Sequence, residues 1–373
     1  MPKASPTTPV GVTPLSAPKP EAVKVALLLP LSGPNAELGK AMLEAAQLAL
    51  FTTGSERLTL IPRDTTGTAA GAADAAKAVL ADGAKLILGP LIADEVDAVR
   101  PLAQAANVNI IAFSTKTQIA GGNVFLMGFL PRQEIAREVS YAHDQGVAKF
   151  AALAPDTPYG HLMGDALKEV ATQQGTGIAR VEYFQPTGQS LAASIKRLAS
   201  AGGGAAATAG GGGLPFDALL LPAGGDQLKQ VAVQLKNAGI DSTKTHFLGS
   251  GLWDDPSIAS DADLIGGWFA ASPPDVRHDF DRRYQGAYGH PAPRLASLAF
   301  DAAALAAVLA KTDGPDPYSA QAIQNPSGFT GVDGLFRFGT DGLVQRGLAV
   351  LEVDPGGDKI VSPAPQSFQN LAY

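Results

Sequence analysis

The chain has 373 residues, with 35 acidic against 28 basic side chains, a formal net charge of -7 and no cysteine. Disulfide frameworks, thiolate metal sites and cysteine nucleophiles are therefore excluded, and the acidic balance repels phosphate backbones, so nucleic acid is not an expected partner. Two domains of ordinary size fit the length, 46% apolar residues suffice to fill their cores, and no apolar run nears the ~18 residues of a membrane span.

Proline stands at positions 2, 6, 9, 14, 18 and 20 among Thr, Ser and Lys, so residues 1–22 are expected to be a stiff, unburied tether. No apolar secretion-signal core follows Met1. From residue 23, short apolar runs alternate with segments of helical period, the pattern of βαβ units and a parallel sheet. Strands are predicted at 25–29, 58–61, 85–88 and 109–113. Helices are predicted at 69–80 and 94–106, and along Leu38, Met42, Ala45 and Ala49 with Asn35 as N-cap. A second series follows residue 131, with helices at 134–145, 161–173, 191–198 and 226–238 and strands at 150–153, 179–184, 216–221 and 245–248. Two successive α/β units fit the length better than one giant sheet, which gives two doubly wound lobes.

Residues 201–213 comprise seven Gly, five Ala and one Thr. Such a run buries too little to offset the entropy of ordering it and is expected to be a mobile surface loop. It precedes no helix, so it lacks the N-terminus a phosphate would need. After helices at 276–288 and 295–309, the Gly339-Thr340-Asp341-Gly342 turn between apolar residues predicts a hairpin, antiparallel rather than another crossover.

Motifs of catalysis are missing. The histidines at 143, 161, 246, 278 and 290 show no H-x-x-x-H spacing, and neither G-x-S-x-G, a Gly-Lys-Ser/Thr phosphate loop nor a full dinucleotide fingerprint occurs. No metal, cofactor or catalytic residue is expected. Asp254 and Asp255 are the one pair of carboxylates worth weighing, but Asp-Asp-Pro reads as a turn or helix start.

In parallel α/β sheets ligands lie beyond the carboxyl ends of the strands. Those loops carry Ser32, Leu91, Asp94, Ser114, Thr115 and Lys116 in the first lobe, and Tyr159, Gly224, Ser250 and Trp253 in the second. Facing lobes would make one cleft of them. Each has a structural alternative: Ser32 and Ser114 as helix caps, Lys116 as a solvated charge, Tyr159 as a core edge.

Val25-Ala26-Leu27-Leu28-Leu29-Pro30-Leu31-Ser32-Gly33, Ile87-Leu88-Gly89-Pro90-Leu91, Ile111-Ala112-Phe113-Ser114-Thr115 and Tyr159-Gly160 resemble the type I periplasmic solute-binding proteins, the leucine/isoleucine/valine-binding group. Three further stretches are similar to its penicillin-binding protein activator branch: residues 248–255, with Trp253, residues 266–270, with Trp268, and residues 294–301. The resemblance implies a periplasmic protein of two lobes, 23–130 with 271–330 and 131–270 with 331–373, joined by a hinge of three crossings near Leu130, Ala271 and 329–333. It also implies hydroxyl groups after the third and fourth strands that hold an amino acid, and a tyrosine that closes over it. Ala93-Asp94-Glu95 and Lys116 depart from that clamp, since Asp94 would repel an α-carboxylate by on the order of 1 kcal/mol at 4 Å.

Two functions follow. The chain is expected to capture a small polar, amino-acid-like solute and pass it to an ABC permease, or else to regulate wall synthesis by docking on a peptidoglycan synthase. Membrane contact is expected only through an N-terminal anchor.

Overall fold

Five consecutive buried residues, Val25 to Leu29, make β1 (Val23–Leu29) an interior strand of a parallel sheet, because a strand covered on both faces has no side on which to be polar. The computed structural model describes residues 22–370 apart from 55, 186–189, 201–213, 313 and 315. The Gly/Ala loop and all but the last residue of the expected tether thus lie outside the described residues. β2 (Leu58–Asp64), β3 (Leu86–Leu88), β4 (Asn109–Ala112) and β5 (Val124–Leu126) complete the first sheet in the order β2-β1-β3-β4-β5, every pair parallel.

Alternation along β1 divides two core layers. Val25, Leu27 and Leu29 meet α1 (Ala36–Thr53), while Ala26 and Leu28 meet α2 (Ala69–Ala81) and α3 (Ala93–Ala105). Asn35 occupies the N-cap position of α1 but acts through its carbonyl, which accepts the Gly39 N–H at 2.9 Å, and not through its side chain. Gly89 ends β3 at φ +87° so close to the neighbouring strand that a Cβ would overlap the Leu28 carbonyl oxygen.

The second lobe repeats the plan with α4 (Pro131–Asp144), β6 (Lys149–Pro155), α5 (Pro158–Gln173), β7 (Gly177–Phe184), α6 (Leu191–Ala199), β8 (Ala218–Leu220), α7 (Gly225–Asn237), β9 (His246–Leu248), α8 (Pro256–Ala259) and β10 (Trp268–Ala271). The chain then returns to the first lobe with α9 (Pro274–Tyr288), α10 (Ala296–Leu309) and α11 (Ala320–Ile323). α10 lies along α1 through Ala299, Ala302, Ala303 and Ala306 against Ala41, Ala45 and Ala49, side chains small enough to let two helices approach closely.

The hairpin forms as expected around Gly339 to Gly342, but in a sheet of its own: β11 (Phe329–Gly331), β12 (Gly334–Phe338) and β13 (Val344–Arg346), all antiparallel. Phe336, Phe338 and Val344 enter the core of Leu27 and Phe125, and Leu343 bridges Leu126 on the edge strand β5. Residues 331–346, assigned by resemblance to the second lobe, therefore pack with the first, and the third passage falls at 347–348, not at 329–333. β14 (Ala349–Glu352) and β15 (Lys359–Ser362) join the second sheet antiparallel, giving β15-β14-β10-β9-β8-β6-β7. The C-terminal segment recrosses the hinge, with Pro365 against Gly347 and Phe368 against Gly328 and 4.5 Å beneath the Arg337 guanidinium.

Candidate functional site

The three passages and the strand ends of both lobes enclose a cavity of about 290 Å³. The first lobe supplies Thr115, Arg294 and Leu295, the second Pro131, Glu134, Tyr159, Gly251, Leu252 and Ala271, and the passages Phe129, Ser272 and Leu348. Of the residues expected at a ligand, Thr115 and Tyr159 line this cavity. Ser250 stands behind it, wholly buried, sharing a hydrogen bond with the Tyr159 hydroxyl and capping the 3-10 turn Gly251–Trp253. Gly224 backs the wall, since a Cβ there would meet Leu252 at 3.1 Å. Burial raises the Tyr159 phenol far above its ordinary range, as do the acids Glu134 and Glu138, so it is present as a neutral hydroxyl.

The other expected residues fall elsewhere. Ser114 is buried and its Oγ accepts the Lys116 N–H at 3.2 Å, while the Lys116 ammonium turns to Asp97, 4.0 Å away. Leu91 packs on the first core, and Asp94 lies exposed in the first turn of α3. The Ser32 N–H and hydroxyl serve the Asp64 carboxylate; against the upward push of burial, these and the N–H groups of Thr66 and Leu31 hold that carboxyl below its usual range. Trp253 is a correction. It is fully buried among Leu221, Phe269 and their neighbours, with its indole N–H donated to the Leu221 carbonyl at 3.1 Å, and does not reach the cavity.

Sequence reasoning missed the charged groups. Glu134, in the first turn of α4, accepts the Gly251 N–H on Oε2 at 3.1 Å. Burial pushes its carboxyl up to about 7, opposed by that hydrogen bond and by the guanidiniums of Arg294 and Arg346. Arg294 lies over the Phe129 ring at 3.9 Å and donates Nη1 to Asp333 at 2.8 Å and Ser297 at 3.2 Å. Asp333 is completely buried; despite that burial, the cations of Arg294, Arg346 and Arg277 hold it below its usual range. Asp301 fastens the turn between β11 and β12, accepting the Val332 N–H at 2.7 Å, and burial together with the charge of Asp333 pushes it up to about 7.

The arrangement is suited to holding a ligand. Apolar walls from Phe129, Leu252, Leu295 and Leu348 surround one guanidinium, one carboxyl poised near neutrality and the hydroxyl residues Thr115, Tyr159 and Ser272, a combination that fixes a polar head and accommodates an apolar body. Asp254 and Asp255 do not act as a pair: Asp255 caps α8 by accepting the Ser257 N–H at 2.8 Å, and Asp254 faces Arg294 at 3.8 Å. Among the described residues no cluster of three or more His, Asp or Glu could hold a metal, and no helix is long and apolar enough to cross a membrane.

Two α/β lobes, a hinge and a cavity walled by both define a two-lobed ligand receptor. The chain belongs to the periplasmic binding protein family, whose sequence profile matches residues 22–358. Among solved structures, the chain resembles a putative branched-chain amino acid ABC transporter from Rhodospirillum rubrum, with TM-score 0.78, 17% identity and coverage of 91% of this chain and 100% of that one. A solute binding protein of an ABC transporter from Rhodopseudomonas palustris, in complex with 3,4-dihydroxybenzoic acid, gives TM-score 0.65 at 20% identity over 92% and 96%. LivJ from Streptococcus pneumoniae, in complex with isoleucine, gives 0.62 at 19% over 92% and 100%. The uncharacterized protein RP748 of Rickettsia prowazekii is 21% identical over 178 residues, a match spanning 48% of this chain and 47% of that protein.

Proposed function

We propose that this protein is a non-catalytic periplasmic receptor that captures a small carboxylate-bearing solute of the amino-acid class and delivers it to an ABC-type permease. The observation carrying this reading is that the first cavity takes walls from both lobes and from all three passages between them, through Phe129, Ser272 and Leu348. A ligand there touches parts that move relative to one another, and closure is stabilised by its greater affinity for the closed arrangement. Arg294 and the Tyr159 hydroxyl would receive the carboxylate, Glu134 the ammonium, and Phe129, Leu252, Leu295 and Leu348 the side chain. Membership of the family and the ligands named for the similar structures, isoleucine and 3,4-dihydroxybenzoic acid, support a solute that joins a carboxylate to an apolar body.

Thermal unfolding with a panel of amino acids and hydroxybenzoates tests the reading. A true ligand at 100 times its Kd adds ~2.7 kcal/mol of stability, and Tyr159→Phe should reduce its effect. No shift with any compound, and no bound mass in native mass spectrometry of fresh protein, would sink the proposal. Regulation of a peptidoglycan synthase has no observation that favours it, because Trp253 and Trp268, which lie in the activator-like stretches, are 0% and 6% exposed and offer no docking surface.

A further inference from the structure

A second cavity, of about 180 Å³, shares no lining residue with the first and is walled by four arginines, Arg132, Arg137, Arg337 and Arg346. Asp341 is the only carboxylate in its lining, and its Oδ1 already accepts the N–H of Leu343 in its own turn at 3.0 Å. Outside the lining Arg132 also pairs with Glu169 at 2.9 Å, so against Asp341 and Glu169 the four arginines leave an excess of cations in the wall of a chain whose net charge is -7. Arg346 is 3% exposed; its Nη2 reaches the Met127 carbonyl at 2.8 Å, but its Nε and Nη1 have no hydrogen-bond partner among the described residues. Buried guanidinium N–H groups without acceptors are costly, so an acceptor from outside the chain would relieve them.

We infer that this cavity is a binding site for a small tetrahedral oxyanion of the phosphate kind, held between the two lobes at the hinge. Its space lies below the range of about 300 to 1,000 Å³ usual for drug-sized ligands, which suits an anion of few atoms. Guanidinium forks are the side chains best matched to oxyanions, and forks approaching from several directions suit a tetrahedral group better than a planar carboxylate. Arg132 and Arg137 come from α4 in the second lobe, Arg337 and Arg346 from β12 and β13 in the first, and Phe368 of the recrossing segment supports Arg337 at 4.5 Å. An anion there joins the two lobes at a place the solute does not occupy.

The test is titration of the full chain with inorganic phosphate at fixed pH and ionic strength, chloride making up the balance, followed by calorimetry and by the phosphorus-31 line width. Saturable binding of one phosphate per chain is expected, weakened about tenfold or more by Arg132→Gln and by Arg337→Gln alike. Acetate is expected not to compete. Arg337 also bonds Gln345 at 2.8 Å, so Arg337→Lys, which keeps the cation and loses the fork, guards against a folding defect and should bind with intermediate affinity. Absence of saturable binding, or unchanged affinity in both glutamine variants, would overturn the site. Loss in only one of the two would overturn the bridging, and equal competition by acetate would overturn the tetrahedral assignment.

Discussion

A carboxyl that titrates near neutrality where the lobes meet couples folding to pH. Glu134 is raised to about 7 by burial, Glu138 is pushed well above its usual range by burial and by Glu134, and Asp301 is raised to about 7 by burial and by Asp333. Each folded-state value lies above its unfolded one, so over the window from about 4.5 to 7 the folded chain binds protons the unfolded chain has released. Stability therefore falls as pH rises through that window. Glu134→Gln keeps an oxygen for the Gly251 N–H and removes one titrating group. Its urea midpoints, measured from pH 5 to 7, should decline less steeply than those of the unaltered chain, by up to about 1.4 kcal/mol per pH unit. Parallel slopes would show that Glu134 plays no part. The sequence does hold a signal for these groups: Glu134 and Glu138 stand one turn apart, flanking Ile135, and Asp301 interrupts the apolar run of α10. What it lacks is the partner, because Gly251 lies 117 residues from Glu134 along the chain.

At the scale of elements, side chains take over where ladders end. β9 and β10 share a single register pair, Leu248 with Trp268, because the chain after β9 turns away into the 3-10 turn that presents Gly251. The N–H of Ala270 is thereby left without a strand partner, and Glu138 of α4 accepts it at 2.9 Å. The turn between β11 and β12 is likewise held by a side chain from another element, and Gly331 is small for that reason: a Cβ there would overlap the Asp301 carboxylate. Gly331→Ala should cost about 2 kcal/mol in chemical denaturation, and an unchanged midpoint would mean that Asp301 has room to withdraw. Longer elements were legible in the sequence, as in the unbroken apolar run of β1 and the helical periods of α2 and α4. β5 and β10 were not, because three or four apolar residues without alternation carry no period to distinguish them from a buried turn. The hairpin was legible from its Gly-Thr-Asp-Gly turn, but its lobe was not, since attachment to Leu27 and Phe125 depends on contacts some 200 or more residues away.

For the molecule as a whole, the passages at 127–130, 272–273 and 347–348 are all short and lie around one cavity. Bending there changes the distance between lobes without disturbing either sheet, the hinge mode of closure. A saturating solute should therefore lower the radius of gyration in small-angle scattering while leaving far-ultraviolet circular dichroism unchanged. An unaltered radius with demonstrated binding would mean that the lobes are already closed when empty. The recognition of two lobes from paired α/β series succeeded because each series is locally encoded. The charged network beside the cavity escaped because its members are drawn from α4, α9, α10 and β13, from the loop that carries Arg294 and from the turn that carries Asp333.

The pairing of α1 with α10 sets how the gene can be divided. A polypeptide stopped at residue 273 would contain the whole first sheet and yet expose the alanine face of α1, including Ala41, Ala45 and Ala49, to water. Neither half can be produced alone by a single truncation, whereas a nick in the exposed stretch 289–291, between α9 and α10, would leave both fragments clasped to the same body. Complementation between two separately synthesised pieces is accordingly possible at that position and closed at the lobe boundary itself.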